Sequence, residues 1–171
     1  MATTLILGGR RAGKSQYAQH CAAAAVAVCV IVTAEVHDAE MAARVAQHQA
    51  DRPAHWQTVE APFELTEALW AHAQVGRAVV VDCLTLWLTN HLLNKPHQLA
   101  QTIDALLACV ASLPGDILLV SNEVGWSVVP DNALARQFAD EVGRLHQRLA
   151  ACCDQVVLVV AGLPLQIKGG A

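Results

Sequence analysis

"LILGGRRAGKS", residues 5–15, decides the fold. An apolar run of strand length enters Gly8 and Gly9, and Gly13, Lys14 and Ser15 close the stretch. Gly8 to Ser15 fits the spacing G-x-x-x-x-G-K-[ST]. Gly8 and Gly13 allow the loop to curl so that successive backbone N–H groups of Gly9, Arg10, Arg11 and Ala12 face one anion. A helix starting near Gly13 adds the positive end of its dipole. Lys14 then reaches the β- and γ-phosphates, and Ser15 offers its hydroxyl to Mg²⁺. The competing reading is a glycine turn carrying a solvated lysine. The strand before the motif and the helix-like stretch after it favour a phosphate loop.

Outward from this loop, similar apolar runs recur: "TLILG" (4–8), "VCVIVTA" (28–34), "AVVVD" (78–82), "DILLVS" (116–121) and "VVLVVA" (156–161). They are apolar throughout rather than alternating, as strands buried on both faces of a parallel sheet are. Helix-like stretches separate them, roughly 13–25, 38–50, 63–74, 97–112 and 131–152. The pattern predicts one α/β domain over residues 1–171, a mostly parallel sheet with helices on both faces. Ligands of such sheets bind at the carboxyl ends of the strands. Those ends are Gly8–Gly9, Thr33–Glu35, Asp82, Ser121–Glu123 and Gly162. Asp82, on a strand expected beside the phosphate strand, is the candidate second anchor for Mg²⁺, directly or through water. A helix-capping role is its bland alternative. Glu123 is a weaker candidate for positioning substrate or water.

Composition removes several classes. With 54 % apolar and 15 % charged residues the 171-residue chain is built to bury a core. The net charge is −4 and no basic run is present, so no nucleic-acid groove is expected. "AAAAVAVCVIVTA" (22–34) is too short to span a membrane. It follows the phosphate motif, so it is not a signal peptide, and a cytoplasmic location is expected. The six cysteines form no C-x-x-C and read as reduced core thiols rather than a zinc site. His55, His72, His91 and His97 lack metal-ligand spacing with one another and carry no assigned role. N-K-x-D, frequent in guanine-specific switches, is absent, and no arginine-rich kinase lid stands out. A P-loop nucleotide-binding protein is the reading at this point, and kinases, motors and switches all share it.

Residues 35–60, "EVHDAEMAARVAQHQADRPAHWQTVE", narrow the field. Glu40, Arg44 and His48 recur every four residues, on one face of a helix. Arg52, Pro53, Trp56 and Glu60 follow. Taken alone, this is a polar surface helix running into a turn. Together with "LILGGRRAGKSQYA" (5–18), "VVVDCLTLWLTN" (79–90), "SNEVGWSVVPDNALARQFADEVGRLHQRLA" (121–150) and "VVLVVAGLPLQIK" (156–168), it resembles the adenosylcobinamide kinase / adenosylcobinamide-phosphate guanylyltransferase family of cobalamin biosynthesis. The resemblance runs nearly end to end.

The resemblance implies a RecA-like fold, a homotrimer and two reactions. The γ-phosphoryl of ATP or GTP goes to the hydroxyl of the aminopropanol arm of adenosylcobinamide. A histidine then attacks the α-phosphorus of GTP, and the guanylyl group passes to adenosylcobinamide phosphate, giving adenosylcobinamide-GDP. Neutral imidazole suits this role, being nucleophilic near pH 7. Carried over by position, the guanylylated residue is His48. The resemblance also implies nucleotide contacts from Gly8–Ser15, from Thr33, Ala34 and Glu35, from the Ala50, Asp51, Arg52 and Pro53 turn, and from Glu60 and Asp82. His146 stands where asparagine is common and reads as neutral. Trp126 is a candidate wall for the corrinoid, and Trp56 for packing beside the His48 segment; a structural role fits both equally. A regulatory P-loop protein, or a member keeping one of the two activities, remains the alternative.

Overall fold

The computed structural model describes residues 1–35 and 52–170. Among the described residues seven strands form one sheet: β1 (Thr3–Gly8), β2 (Ala27–Val32), β3 (Gln57–Glu60), β4 (Arg77–Asp82), β5 (Asp116–Asn122), β6 (Gln155–Val160) and β7 (Leu163–Lys168). Their lateral order is β3-β2-β4-β5-β1-β6-β7. All pairings are parallel except the last, the β6–β7 hairpin. The five apolar runs of the sequence are five of these strands, within two residues at each end. The parallel order puts their carboxyl ends along one edge, which is where the phosphate loop leaves β1.

Successive residues of the central strands enter different cores, which explains why the runs are apolar throughout. Leu5, Ile31, Val79, Val81, Ile117 and Leu119 pack with Leu69, Trp87, Leu106, Leu145 and Leu149 on one face. Ile6, Val30, Val80, Leu118 and Val157 pack on the other face with Ala18, Ala22 and Trp56. The second face is covered by α1 (Lys14–Ala22). The first is covered by α2 (Leu65–His72), α3 (Leu84–Asn94), α4 (Leu99–Val110) and α5 (Ala133–Cys152). Asn132 starts α5 by accepting the Ala135 N–H at 3.1 Å, as an N-cap should.

The structure corrects one expectation and adds three elements. The Asp82 strand is not beside the phosphate strand, because β5 lies between β4 and β1. Lateral order in a parallel sheet is set by crossovers, which the local pattern does not encode. Helix α3 carries no sequence signal of its own: "LTLWLTNHLL" follows β4 with only Cys83 between and has no turn residue before it. The edge strands β3 and β7 are equally silent, the first short and polar, the second interrupted by Pro164. The helix expected over 38–50 lies outside the described residues.

Candidate functional site

The phosphate loop is held in shape by backbone contacts on both sides. A Cβ on Gly8 would collide with the Val159 carbonyl oxygen, so only glycine fits there. Gly13 has φ +99°, and a Cβ there would lie 3.1 Å from the Cα of Gly162. Gly162 in turn donates its N–H to the Ala12 carbonyl at 2.8 Å. The β6–β7 turn, with positive φ at Ala161 and Gly162, thus presses on the loop from one side. On the other side Glu123 donates its N–H to the Gly8 carbonyl at 2.9 Å. Gly162, a strand end in the sequence, braces the loop rather than lining the cavity.

Lys14 opens α1 and is buried; its Nζ donates to the Gly9 carbonyl at 2.7 Å across the loop. Burial pulls its ammonium below the ordinary lysine value, and Cys83 and Asp82 partly oppose this. A phosphate arriving over the loop would supply a counter-charge.

A cavity of about 650 Å³ opens in front of the loop. Arg10, Arg11, Ala12, Gly13, Lys14 and Ser15 form one wall, and Ala34, Arg52 and Asp82 also line it. Four cationic side chains meet two carboxylates there, Asp82 and Glu123. In a chain of net charge −4 this concentrates positive charge where a triphosphate would lie. Asp82 ends β4 and meets Arg52, whose Nη2 lies 3.4 Å from Oδ2. The Arg52 side chain is 4 % exposed, and its Nε and Nη1 are buried without a hydrogen-bond partner among the described residues. Burial lowers the Arg52 pKa, opposed by Asp82, and the guanidinium stays charged.

Ser15 and Asp82 both line this cavity, and a hydroxyl with one carboxylate is a donor set suited to Mg²⁺ that keeps water and phosphate ligands. Among the described residues no group of three or more His, Cys, Asp or Glu gathers. Ser15 and Asp82 are the residues of this cavity that could hold such an ion. All six cysteines are free, and four of them are buried. Burial pushes Cys153 up to about 12 and Cys109 up to about 11, as inert core thiols behave.

Other residues singled out in the sequence sit elsewhere. Thr33 is fully buried and spends its hydroxyl on the next strand's end. It donates to the Cys83 carbonyl at 2.7 Å and accepts the Cys83 N–H at 3.0 Å. Asn90 Nδ2 donates to the Thr33 carbonyl at 2.9 Å, completing a clamp beside Asp82. Glu60 ends β3 in register with Val32, exposed. Gly8, Gly9, Glu35 and Pro53 are not among the cavity walls. Trp126 is 77 % exposed and lines no part of it. Trp56 is buried in the second core. His48, Ala50 and Asp51 lie outside the described residues.

One wall is stronger in the structure than in the sequence. Asn122 and Glu123, at the end of β5, line the cavity with Asp82. Behind them His146 is buried, with Nε2 2.7 Å from Ser121 Oγ and Nδ1 3.7 Å from Glu123 Oε2. His91 is buried edge-on against Phe63 and Trp87, with Nε2 3.2 Å from the Phe63 carbonyl.

The family described as cobinamide kinase / cobinamide phosphate guanyltransferase matches residues 4–167. The bifunctional adenosylcobalamin biosynthesis protein CobP of Pseudomonas aeruginosa is 52 % identical over 167 residues, covering 96 % of each chain. The bifunctional adenosylcobalamin biosynthesis protein CobU of Salmonella typhimurium is 39 % identical over 178 residues, covering 96 % of this chain and 98 % of its own. Among solved structures, an ATPase of a bacterial type III secretion system superposes with a TM-score of 0.58 at 11 % identity. That match covers 96 % of this chain and 56 % of the other, and it speaks to the α/β P-loop fold alone.

Proposed function

The chain belongs to the cobinamide kinase / cobinamide phosphate guanyltransferase family, and we propose that its two reactions share the cavity in front of residues 8–15. It is a bifunctional adenosylcobinamide kinase and adenosylcobinamide-phosphate guanylyltransferase, an enzyme of cobalamin biosynthesis that uses ATP and GTP. The carrying observation is the cavity's charge. The loop, Lys14, Arg10, Arg11 and Arg52 converge on one space with Asp82 at its edge.

In this reading the loop N–H groups and Lys14 grip the β- and γ-phosphates, and Arg52 offers a phosphate oxygen the N–H groups that have no partner among the described residues. Ser15 and Asp82 hold Mg²⁺, which when bound offsets charge on the triphosphate. For phosphoryl transfer the γ-phosphorus faces the acceptor hydroxyl. For guanylyl transfer His48 attacks the α-phosphorus, pyrophosphate leaves, and the phosphate of adenosylcobinamide phosphate takes the GMP. His48 stands four residues before Arg52, and four residues of chain reach at most about 14 Å. That tether supports its role. By resemblance the proposal extends to Ala34, which lines the cavity, to Ala50 and Asp51, and to Glu35, Pro53 and Glu60, which lie outside the cavity walls. Thr33 serves through the clamp on Cys83 rather than by contact.

The fold reading is a single RecA-like domain, supported by the strand inserted between the phosphate strand and the carboxylate strand. Apolar surface supports self-association, and the proposal takes the assembly to be the homotrimer that the resemblance implies. Leu163, Leu165 and Ile167 of edge strand β7 are exposed, as are Trp126, Val128 and Val129. No helix among the described residues is long and apolar enough to cross a membrane. Free buried thiols support the cytoplasm as its location. The test separates the half-reactions: His48→Ala should abolish guanylyl transfer and retain phosphoryl transfer. Equal loss of both would refute that division.

A further inference from the structure

We propose that Glu123 is the general base of the phosphoryl-transfer reaction, and that His146 is the positioning residue that aims its carboxylate. The proposal rests on the shared cavity as the seat of the triphosphate. Three observations carry it. Glu123 lines the cavity, and its backbone is tied to the loop through the Gly8 carbonyl at 2.9 Å. It therefore stands at the nucleotide's phosphate end. Its Oε1 accepts the Gly125 N–H at 2.6 Å, which leaves Oε2 as the working oxygen. His146 approaches that oxygen from behind, Nδ1 at 3.7 Å, from a buried position on α5.

The surroundings of His146 select its tautomer. An ionised carboxylate only accepts, so the nitrogen facing Glu123, Nδ1, carries the ring proton. Nε2 is then the acceptor, and the buried Ser121 hydroxyl donates to it at 2.7 Å. Among the described residues Nδ1 has no hydrogen-bond partner within normal range. A buried donor without a partner is costly unless a ligand or motion completes it. Catalytic hydrogen bonds are often long before substrate binds. Burial lowers the His146 pKa, with Glu123 opposing, which favours the neutral ring. A neutral N–H donor orients the carboxylate.

The step balances without a further reagent. The Glu123 carboxylate takes the proton of the acceptor hydroxyl as that oxygen bonds to the γ-phosphorus. The bond from the γ-phosphorus to its bridging oxygen breaks, and that electron pair leaves on the nucleoside diphosphate. The proton then passes from Glu123 to solvent. Guanylyl transfer has no such need, because its nucleophiles are an imidazole and an already ionised phosphate.

The two activities of the enzyme therefore supply the test. Kinase turnover with adenosylcobinamide and ATP is measured beside the rate of guanylyl-enzyme formation from GTP. Glu123→Gln should lower kinase kcat about 100-fold, leave the KM for ATP within about threefold, and lower the ratio of the two rates by about 30-fold or more. His146→Leu should lower the same ratio about tenfold, with His146→Asn restoring most of it because an amide donor remains. Ser121→Ala, which releases the tautomer, is the second probe if His146→Leu does not fold, and should lower the ratio severalfold. An unchanged ratio in Glu123→Gln overturns the base. Equal ratios in His146→Leu and His146→Asn, or an unchanged ratio in Ser121→Ala, overturn the positioning role. Failure of the shared cavity itself reads differently, as a Lys14→Ala variant that spares one activity.

Discussion

Arg52 lies against Asp82, Nη2 to Oδ2 at 3.4 Å, while its other two side-chain nitrogens are buried with no partner among the described residues. One carboxylate does not satisfy a guanidinium fork, so the residue is set for a second anion. Arg52→Lys keeps the charge and loses the fork. It should raise the Kd for GTP at least about tenfold, close to 1.4 kcal/mol, in titration calorimetry. Unchanged affinity would remove Arg52 from the phosphate site.

Lys14 is bonded across the loop to Gly9, within the seat proposed for both reactions. Lys14→Ala should therefore lower kinase and guanylyl-transfer rates together, each by about 100-fold or more. Retention of either activity would contradict a shared seat.

Gly13 combines φ +99° with a neighbour, Gly162 Cα, 3.1 Å from where a Cβ would stand. Gly13→Ala should cost about 2 kcal/mol, seen as a fall in Tm of about 6 °C, and should weaken GTP binding. A variant with wild-type Tm and affinity would show that the loop relaxes without cost.

His91 and His146 are both buried, and burial lowers both from the ordinary value of 6.5. Below that value the unfolded chain binds more protons than the folded one. Stability contributed by the neutral rings is complete above pH 6.5 and is lost as pH falls toward the lowered folded values. Thermal unfolding followed from about pH 7.5 down to about 5.5 should show a falling Tm, less steep in His91→Gln. A Tm that rises on acidification would reverse the sign.

Legibility in the sequence follows the range of the interactions. The phosphate loop is readable because its glycines, Lys14 and Ser15 act within eight residues of chain. The five apolar strands are readable because burial on both faces makes them apolar throughout. The insertion of β5 between β1 and β4 is not, since no local pattern records which strands become neighbours. Helix α3 is hidden in an apolar run that follows β4 almost directly. His146 reads as an ordinary helical residue; only packing brings it to Ser121, 25 residues away in the chain. The resemblance points to His48, and Arg52 is the residue of that segment whose geometry supports the site.

The central claim is that one phosphate seat serves a covalent guanylyl transfer through His48. Intact-protein mass spectrometry after incubation with GTP and Mg²⁺ tests it most directly. The account predicts a GMP-sized, acid-labile adduct that is absent from His48→Asn. Folded protein that binds GTP and gains no adduct, or an adduct that survives in His48→Asn, would contradict it.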